Sequence, residues 1–264
     1  MAVTIAVLSQ KGGTGKTTAV RTLADVMRRV GLDTLAVDLD PQGNLSDYFD
    51  VPPDAEPTVA DVLTGRAPAS EAIHDDVIPA NLQLAEAELA LSGKMGRELT
   101  LRRALRDLER AYDVVLLDCP PSLGLLTVNA LVAADQALIT AEAQYFAMQG
   151  VEQALEVIEL ARDSLNPDLT WIGVVLNLAD MRTVHSREAH ASLAEAFGDR
   201  VFDTTIRQSI AYAESAERGV SILDHRPDLG ADYLALAAEL LDRLALPEAR
   251  SRLDALAGEP AAKR

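Results

Sequence analysis

The sequence predicts an α/β fold, a single domain built on a mostly parallel, twisted sheet with helices on both faces. Three observations predict it. Short apolar runs alternate with helix-spaced segments along the chain, a glycine-rich loop stands between the first run and the first helix, and several runs are apolar throughout, as strands covered on both sides must be.

Residues 3 to 9 form the first strand and run into the loop. Apolar residues then recur at helical spacing at Val20, Leu23, Ala24, Met27 and Val30, and Gly31 closes the helix. "DTLAVDLD" is a second strand whose carboxyl end carries Asp38 and Asp40. Residues 50 to 75, with Pro52, Pro53, Pro57 and Pro68, read as loops with short helical pieces. A helix follows over 98 to 110, with Leu101, Leu105 and Leu108 on one face, and then the buried-strand run "YDVVLLD" ends at Asp118. "DQALITA" and "TWIGVVLNL" are further strands, separated by a helix from about Met148 to Leu165. A helix near 185 to 196, a short strand "FDTTI", and helices near 209 to 218 and 229 to 245 complete the pattern. One domain over 1–246 is expected, with 247–264 as a frayed helix or disordered tail rich in Ala, Pro and charge.

Composition narrows the function classes. The single cysteine, Cys119, excludes a disulfide framework and a multi-cysteine zinc or iron–sulfur site within one chain. The apolar start has no basic leader, and no segment reaches the roughly 18 apolar residues of a membrane span, so a soluble, cytoplasmic protein is expected. The formal charge is −17, from 24 basic and 41 acidic residues, and only four of the basic residues are lysines. Nonspecific DNA binding therefore requires a local basic patch. Two of the four lysines, Lys11 and Lys16, lie in one glycine loop.

That loop, "LSQKGGTGKTT", ends as a phosphate-binding loop ends, with Gly15, Lys16 and Thr17, although Gln10 stands where the usual first glycine would be. Gly12, Gly13 and Gly15 let the backbone curl, so that the amides of Lys11 to Thr18, Thr14 included, face phosphate oxygens at a helix N-terminus. Lys16 then neutralises the β and γ phosphates of ATP, and the Thr17 hydroxyl is placed to ligate Mg²⁺. The fold class is thus a P-loop NTPase. Lys11 precedes the glycines and points away from its own loop's phosphates; a cation supplied from a second molecule would stabilise charge on the γ-phosphate and couple hydrolysis to pairing. Asp40, fixed at a rim by "PQGN", is the first choice to orient the attacking water and approach the metal. Asp38 shares its face by strand alternation and takes a supporting role. Asp118, after four apolar residues, acts on Mg²⁺ directly or through water. Cys119 reads as a small buried residue, and the four histidines lack metal-ligand spacing.

"KGGTGKTT" resembles the deviant phosphate loop of the ParA and MinD group of P-loop ATPases. The narrower ParA resemblance, of the small Soj-like type without an N-terminal helix-turn-helix domain, rests on "VDLDPQGN" at 37–44, "YDVVLLDCPPSLGLLTVNAL" at 112–131 and "FGDRVFDTTIRQS" at 197–209. It spans the chain through about Leu244. The resemblance implies an ATP-bound homodimer in which Lys11 reaches the partner's nucleotide, Asp40 positions the hydrolytic water, and Asn177 contacts adenine, with Arg207 near the base or dimer edge. It also implies slow hydrolysis stimulated by a ParB-like centromere-binding protein or another adaptor. The paired state would hold nonspecific DNA over the nucleoid and segregate a chromosome or plasmid.

In one respect the sequence departs from that pattern, because Ala211 stands where the family commonly has a second arginine after the one matching Arg207. Six arginines between Met181 and Asp228 face eight acids. Arg182, Arg187 and Arg207 are the candidate DNA contacts. The alternative is an ATP-gated positioning protein for a protein cargo with weak or no DNA binding. A MinD-like membrane timer would need a basic amphipathic C-terminal helix, and "LPEARSRLDALAGEPAAKR" offers little apolar face. A two-subunit iron–sulfur carrier is excluded by the single cysteine. An amide synthase sharing the loop would need a substrate pocket and a further segment that the sequence does not suggest.

Overall fold

The computed structural model describes residues 2–144 and 146–258. Among them seven strands form one sheet in the order β3-β2-β4-β1-β5-β6-β7, and every pair of neighbours is parallel. The strands are β1 (Val3–Leu8), β2 (Thr34–Asp38), β3 (Val77–Ile78), β4 (Val114–Asp118), β5 (Gln136–Glu142), β6 (Thr170–Ala179) and β7 (Val201–Arg207). The helices of the first half are α1 (Lys16–Arg29), α2 (Asn44–Tyr48), α3 (Val59–Thr64), α4 (Gln83–Ser92), α5 (Thr100–Leu105) and α6 (Leu125–Ala133). Those of the second half are α7 (Ala147–Ser164), α8 (Val184–Phe197), α9 (Ala211–Glu217), α10 (Ile222–His225), α11 (Pro227–Arg243) and α12 (Pro247–Gly258).

Strand alternation divides the core into two layers. Ile5 and Val7 of β1 join Leu23, Met27, Leu236 and Leu240 on the face covered by α1 and α11. Ala6 and Leu8 face the other way, with Leu101, Leu126, Val151 and Ile158 of α5 to α7. Helix α1 buries its apolar stripe completely at Val20, Leu23, Ala24 and Met27, so truncating Leu23 to Ala would cost about 2–5 kcal/mol through lost burial and a cavity.

The topology fixes where a ligand goes. The chain leaves β1 toward β2 on one side and leaves β4 toward β5 on the other, which puts a switch point at the carboxyl end of β1. The glycine loop stands at that end.

Several elements differ from the sequence expectations. Strand β2 ends at Asp38, so Asp40 lies in the following turn rather than on the strand. Helix α6 had no helical signal because its run "LLTVNALVA" is apolar nearly all round: Leu126, Thr127, Asn129, Ala130, Leu131 and Val132 are all buried. The helix expected over 98 to 110 is broken into 3-10 turns on either side of α5. Residues 247–258, expected as a frayed or disordered tail, form α12, which packs on α11 through buried Ala249 and Leu253; residues 259–264 lie outside the described part.

Candidate active site

The loop between β1 and α1 turns on two glycines. Gly13 and Gly15 have φ of 76° and 81°, in the left-handed region. A Cβ on Gly15 would also stand 2.8 Å from Asn177 Nδ2, so both backbone and space require glycine there. Gly15 is the N-cap of α1, with no side-chain cap and no acid in the first turn. The helix therefore presents uncapped amides at Lys16, Thr17 and Thr18, together with the positive end of its dipole, which is an anion site.

Lys16 is buried at the base of this loop. Its Nζ donates to Ser9 Oγ at 2.9 Å and to the Lys11 carbonyl at 3.3 Å. Burial lowers its pKa, and the carboxylates of Asp118 and Asp40 work against that shift. Thr14 turns inward: its hydroxyl donates to Ser9 Oγ at 2.8 Å and lies 3.1 Å from Thr140 Oγ1. It can offer a phosphate only its backbone. Asn177 Nδ2 donates to the Thr14 carbonyl at 2.8 Å, bracing the loop from the end of β6 and leaving Oδ1 buried without a partner. The next residue, Leu178, holds φ at 54°, uncommon for a bulky side chain, beside a register shift between β6 and β7.

Two aspartates, Asp118 and Asp40, act on the lysine, and Asp38 is the register partner of Asp118. Asp38 is fully buried and fully engaged, accepting from the Asp40 amide at 3.0 Å, the Ser46 amide at 3.0 Å and Ser46 Oγ at 2.8 Å. Burial pushes its pKa up to about 6, and those donors pull it back. Asp118 is also fully buried, but neither oxygen has a hydrogen-bond partner at bonding geometry. Burial and then Asp38 raise its pKa well above the carboxylate range, opposed by the Thr17 hydroxyl and Lys16. Asp40 is half-buried, and its Oδ1 accepts from the Gln42 amide at 3.0 Å.

Gly12, Gly13, Gly15, Lys16, Thr17, Thr18, Asp40 and Asn177 line one cavity of about 770 Å³, enough for a nucleotide. The residues present fit MgATP. Uncapped amides and a buried ammonium suit phosphates, and a buried carboxylate without partners beside a threonine hydroxyl is a donor set for a hard divalent cation.

Comparison with known proteins agrees with this geometry. The AAA domain family matches residues 2–171. The sporulation initiation inhibitor protein Soj of Bacillus subtilis is 38% identical over 245 residues, covering 89% of this chain and 97% of that one. The chromosome partitioning protein ParA of Myxococcus xanthus is 36% identical over 248 residues, covering 90% and 88%. A Mycobacterium smegmatis structure described as cobyrinic acid a,c-diamide synthase with bound ADP and magnesium superposes with a TM-score of 0.81 at 35% identity, covering 94% and 97%.

The chain belongs to the ParA/MinD family of P-loop ATPases. Within this ParA/MinD chain, other expected residues lie apart from the cavity. Lys11 is exposed on the far side of its loop, its Nζ 5.1 Å from the centroid of the Phe146 ring. Arg207 does not line the cavity; its Nε donates to Asp232 Oδ2 at 2.9 Å and its Nη2 to the Asp228 carbonyl. Arg182 is held in two bonds to Asp180, at 2.8 and 2.9 Å, and Arg187 donates to the Met181 and Arg182 carbonyls. The cluster is exposed, but Arg182 and Arg207 already face carboxylates.

Sequence reading missed the wall opposite the phosphate loop, made by Tyr48, Ile206, Tyr212, Ala213 and Ala216. Tyr48 OH donates to the Tyr212 carbonyl at 2.9 Å and lies 3.4 Å from Thr18 Oγ1, tying α2, α9 and α1 together. Ser9 was also missed, though it is the last residue before the loop and its hydroxyl seats Lys16. No spacing rule identifies such residues, because they meet only through the fold.

Proposed function

We propose that this chain is a partition-type ATPase whose ATP-bound dimer holds nonspecific DNA and is released when a ParB-like partner, or another adaptor, stimulates hydrolysis. The observation that carries the reading is that Lys16, Thr17 and Asp40 line one cavity, with the buried Asp118 carboxylate beside Thr17 and Lys16 and a second lysine displayed outward from the same loop. Relatives named Soj and ParA support it, as does the family membership.

The residues take the following roles. Loop amides and Lys16 hold the β and γ phosphates, and Asn177 keeps the loop in shape. Thr17 and Asp118 would hold Mg²⁺, with Asp40 near them, and the ion when bound would supply positive charge that neutralises the phosphates. Asp40 accepts a hydrogen bond from the attacking water and orients it in line with the bond between the γ-phosphorus and the β–γ bridging oxygen. That bond breaks, ADP leaves, and the water oxygen stays on phosphate. Lys11, from the partner subunit, stabilises the γ oxygens in the transition state, so hydrolysis requires pairing. A paired state that lasts only until turnover is a timer, because ATP favours the dimer and ADP does not. The dimer would accordingly sit on the nucleoid when ATP-loaded.

An amide synthase reading is suggested by the name of the Mycobacterium smegmatis structure. Release of ammonia from glutamine calls for a reactive thiolate. Here Cys119 is buried, and burial with Asp118 nearby drives its thiol pKa far upward, so it stays protonated. The partition reading is the better supported.

Sedimentation velocity of the Asp40→Ala variant tests it directly. A doubling of mass with ATP but not ADP is expected, accompanied by DNA retention only with ATP. A monomer under every nucleotide condition would overturn the dimer mechanism.

A further inference from the structure

Among the described residues six exposed arginines face a carboxylate, Arg182, Arg207 and Arg226 included. Eight exposed arginines do not, and four of those eight fall within nine consecutive positions. Arg102, Arg103, Arg106 and Arg110 are all exposed, and among the described residues none of their guanidiniums meets a carboxylate within 4.0 Å. The stretch from Lys94 to Arg110 carries six cations against Glu98, Asp107 and Glu109, and Glu98 is already paired with Arg97. It is a positive island on a chain of charge −17.

The island is built on a firm support. Leu101, Leu105 and Leu108 point into the core, and the Leu101 amide donates to Asn129 Oδ1 of α6 at 3.2 Å. The arginines therefore occupy the outer face of α5 and the turn after it; of the large apolar side chains from Lys94 to Arg110 only Met95 is exposed, too little apolar surface to anchor in a lipid layer. Guanidiniums free of carboxylates present their donor forks intact, and those forks match phosphate oxygens. Arg102 and Arg103 lie on α5, Arg106 opens the 3-10 turn after it and Arg110 follows in the next turn, so the path from Arg102 to Arg106 rises about 6–8 Å, about two phosphate spacings of about 3.4 Å on one strand.

We propose that Arg102, Arg103, Arg106 and Arg110 contact the phosphate backbone of duplex DNA, on a face separate from the carboxylate-paired arginines at 182 and 207. The inference rests on the DNA-holding reading above and moves the contact to a different part of the molecule. Retention on the duplex is then sequence-independent and steeply weakened by salt.

The test is fluorescence anisotropy of a labelled random-sequence duplex with full-length protein and ATP, over about 50 to 200 mM salt. The variants are Arg102→Gln/Arg103→Gln/Arg106→Gln/Arg110→Gln, the same four positions changed to Lys, and Arg182→Gln/Arg187→Gln. The slope of log affinity against log salt should fall by about 0.9 for each contact removed, about 3 to 4 in the Gln variant. The Lys variant and the 182/187 variant should keep it, and basal ATP hydrolysis should not change in any of them. If the four-site Gln variant misfolds, Arg103→Gln/Arg110→Gln alone should lower the slope by about 2. A Gln variant with the wild-type slope overturns the inference and leaves DNA holding intact, whereas wild-type protein that ignores the duplex with ATP overturns both. Capture by phosphatidylglycerol vesicles in place of the duplex, lost in the Gln variant, assigns the face to lipid and likewise overturns the inference.

Discussion

Asp38 and Asp118 are register partners at the carboxyl ends of β2 and β4, both fully buried, yet one carboxylate accepts three hydrogen bonds and the other none. The difference assigns their work. Asp38 spends its oxygens on the Asp40 amide and on Ser46, whose hydroxyl in turn accepts from the Ala80 amide, so it fixes the turn that carries Asp40. Asp118 leaves both oxygens unengaged near Lys16 and Thr17, which suits the cation-holding role proposed for it. A buried carboxylate without partners destabilises the nucleotide-free protein.

Asp118→Asn should therefore raise the thermal midpoint of the nucleotide-free protein, by an amount on the order of 1–3 kcal/mol of stability. It should also abolish the further rise that Mg²⁺ adds on top of ADP. Differential scanning fluorimetry with and without Mg²⁺ and ADP measures both. A variant that still gains the full Mg²⁺-dependent shift would remove Asp118 from the metal site.

The Asp38 carboxyl gives a pH dependence of definite sign. Its pKa is pushed up to about 6 by burial, against about 3.9 in an unfolded chain. The folded state thus holds this proton more tightly, and the group's contribution to stability falls as pH rises from about 4 to about 6. Relative to Asp38→Asn, which cannot titrate, the nucleotide-free wild type should lose about 2–3 kcal/mol across that window. Parallel midpoint curves for the two proteins would refute the assignment.

Much of this site was legible in the sequence because its chemistry is local. Gly13, Gly15, Lys16 and Thr17 sit within five positions, and the backbone conformations and cavity positions found are those that their spacing implies. Asp118 was legible because a buried strand run ends on it. The base-side wall was not, since Tyr48, Ile206 and Tyr212 come from three segments that only the sheet order brings together. The pairing of Arg182 and Arg207 was not legible for a related reason: charge in sequence does not disclose ion pairs, and Asp232 lies 25 positions from Arg207. Helix α6 was invisible because periodicity vanishes when both sides of a helix are covered.

Gly15→Ala tests how tightly the phosphate loop is constrained. The substitution places a Cβ in a left-handed residue and drives it into Asn177 Nδ2, 2.8 Å away. The left-handed conformation alone costs about 1–2 kcal/mol, and displacing Asn177 also releases the Thr14 carbonyl. The variant should melt lower and show no stabilisation by ADP with Mg²⁺. Retained stabilisation would mean that the loop binds phosphate in another shape.

Lys11 supplies the test of the paired mechanism. It is exposed, and its contact with the Phe146 ring at 5.1 Å is a restraint of only about 0.5–1 kcal/mol, so the proposed paired mechanism would release it from that seat at little cost. Within its own loop it contributes a carbonyl, which accepts from Ser9 Oγ and Lys16, and Lys11→Ala retains that carbonyl. Nucleotide affinity in this variant should stay within a few-fold of wild type. Partner-stimulated hydrolysis should fall by about 10³ to 10⁵, the range known for a cation supplied in trans to a transferring phosphoryl group. Mixing Lys11→Ala with Asp40→Ala sharpens the reading. In such a heterodimer the intact Asp40 stands in a site that receives the intact Lys11 of the other chain, so about half of the wild-type rate per dimer should return, whereas a lysine acting on its own nucleotide would leave both sites dead.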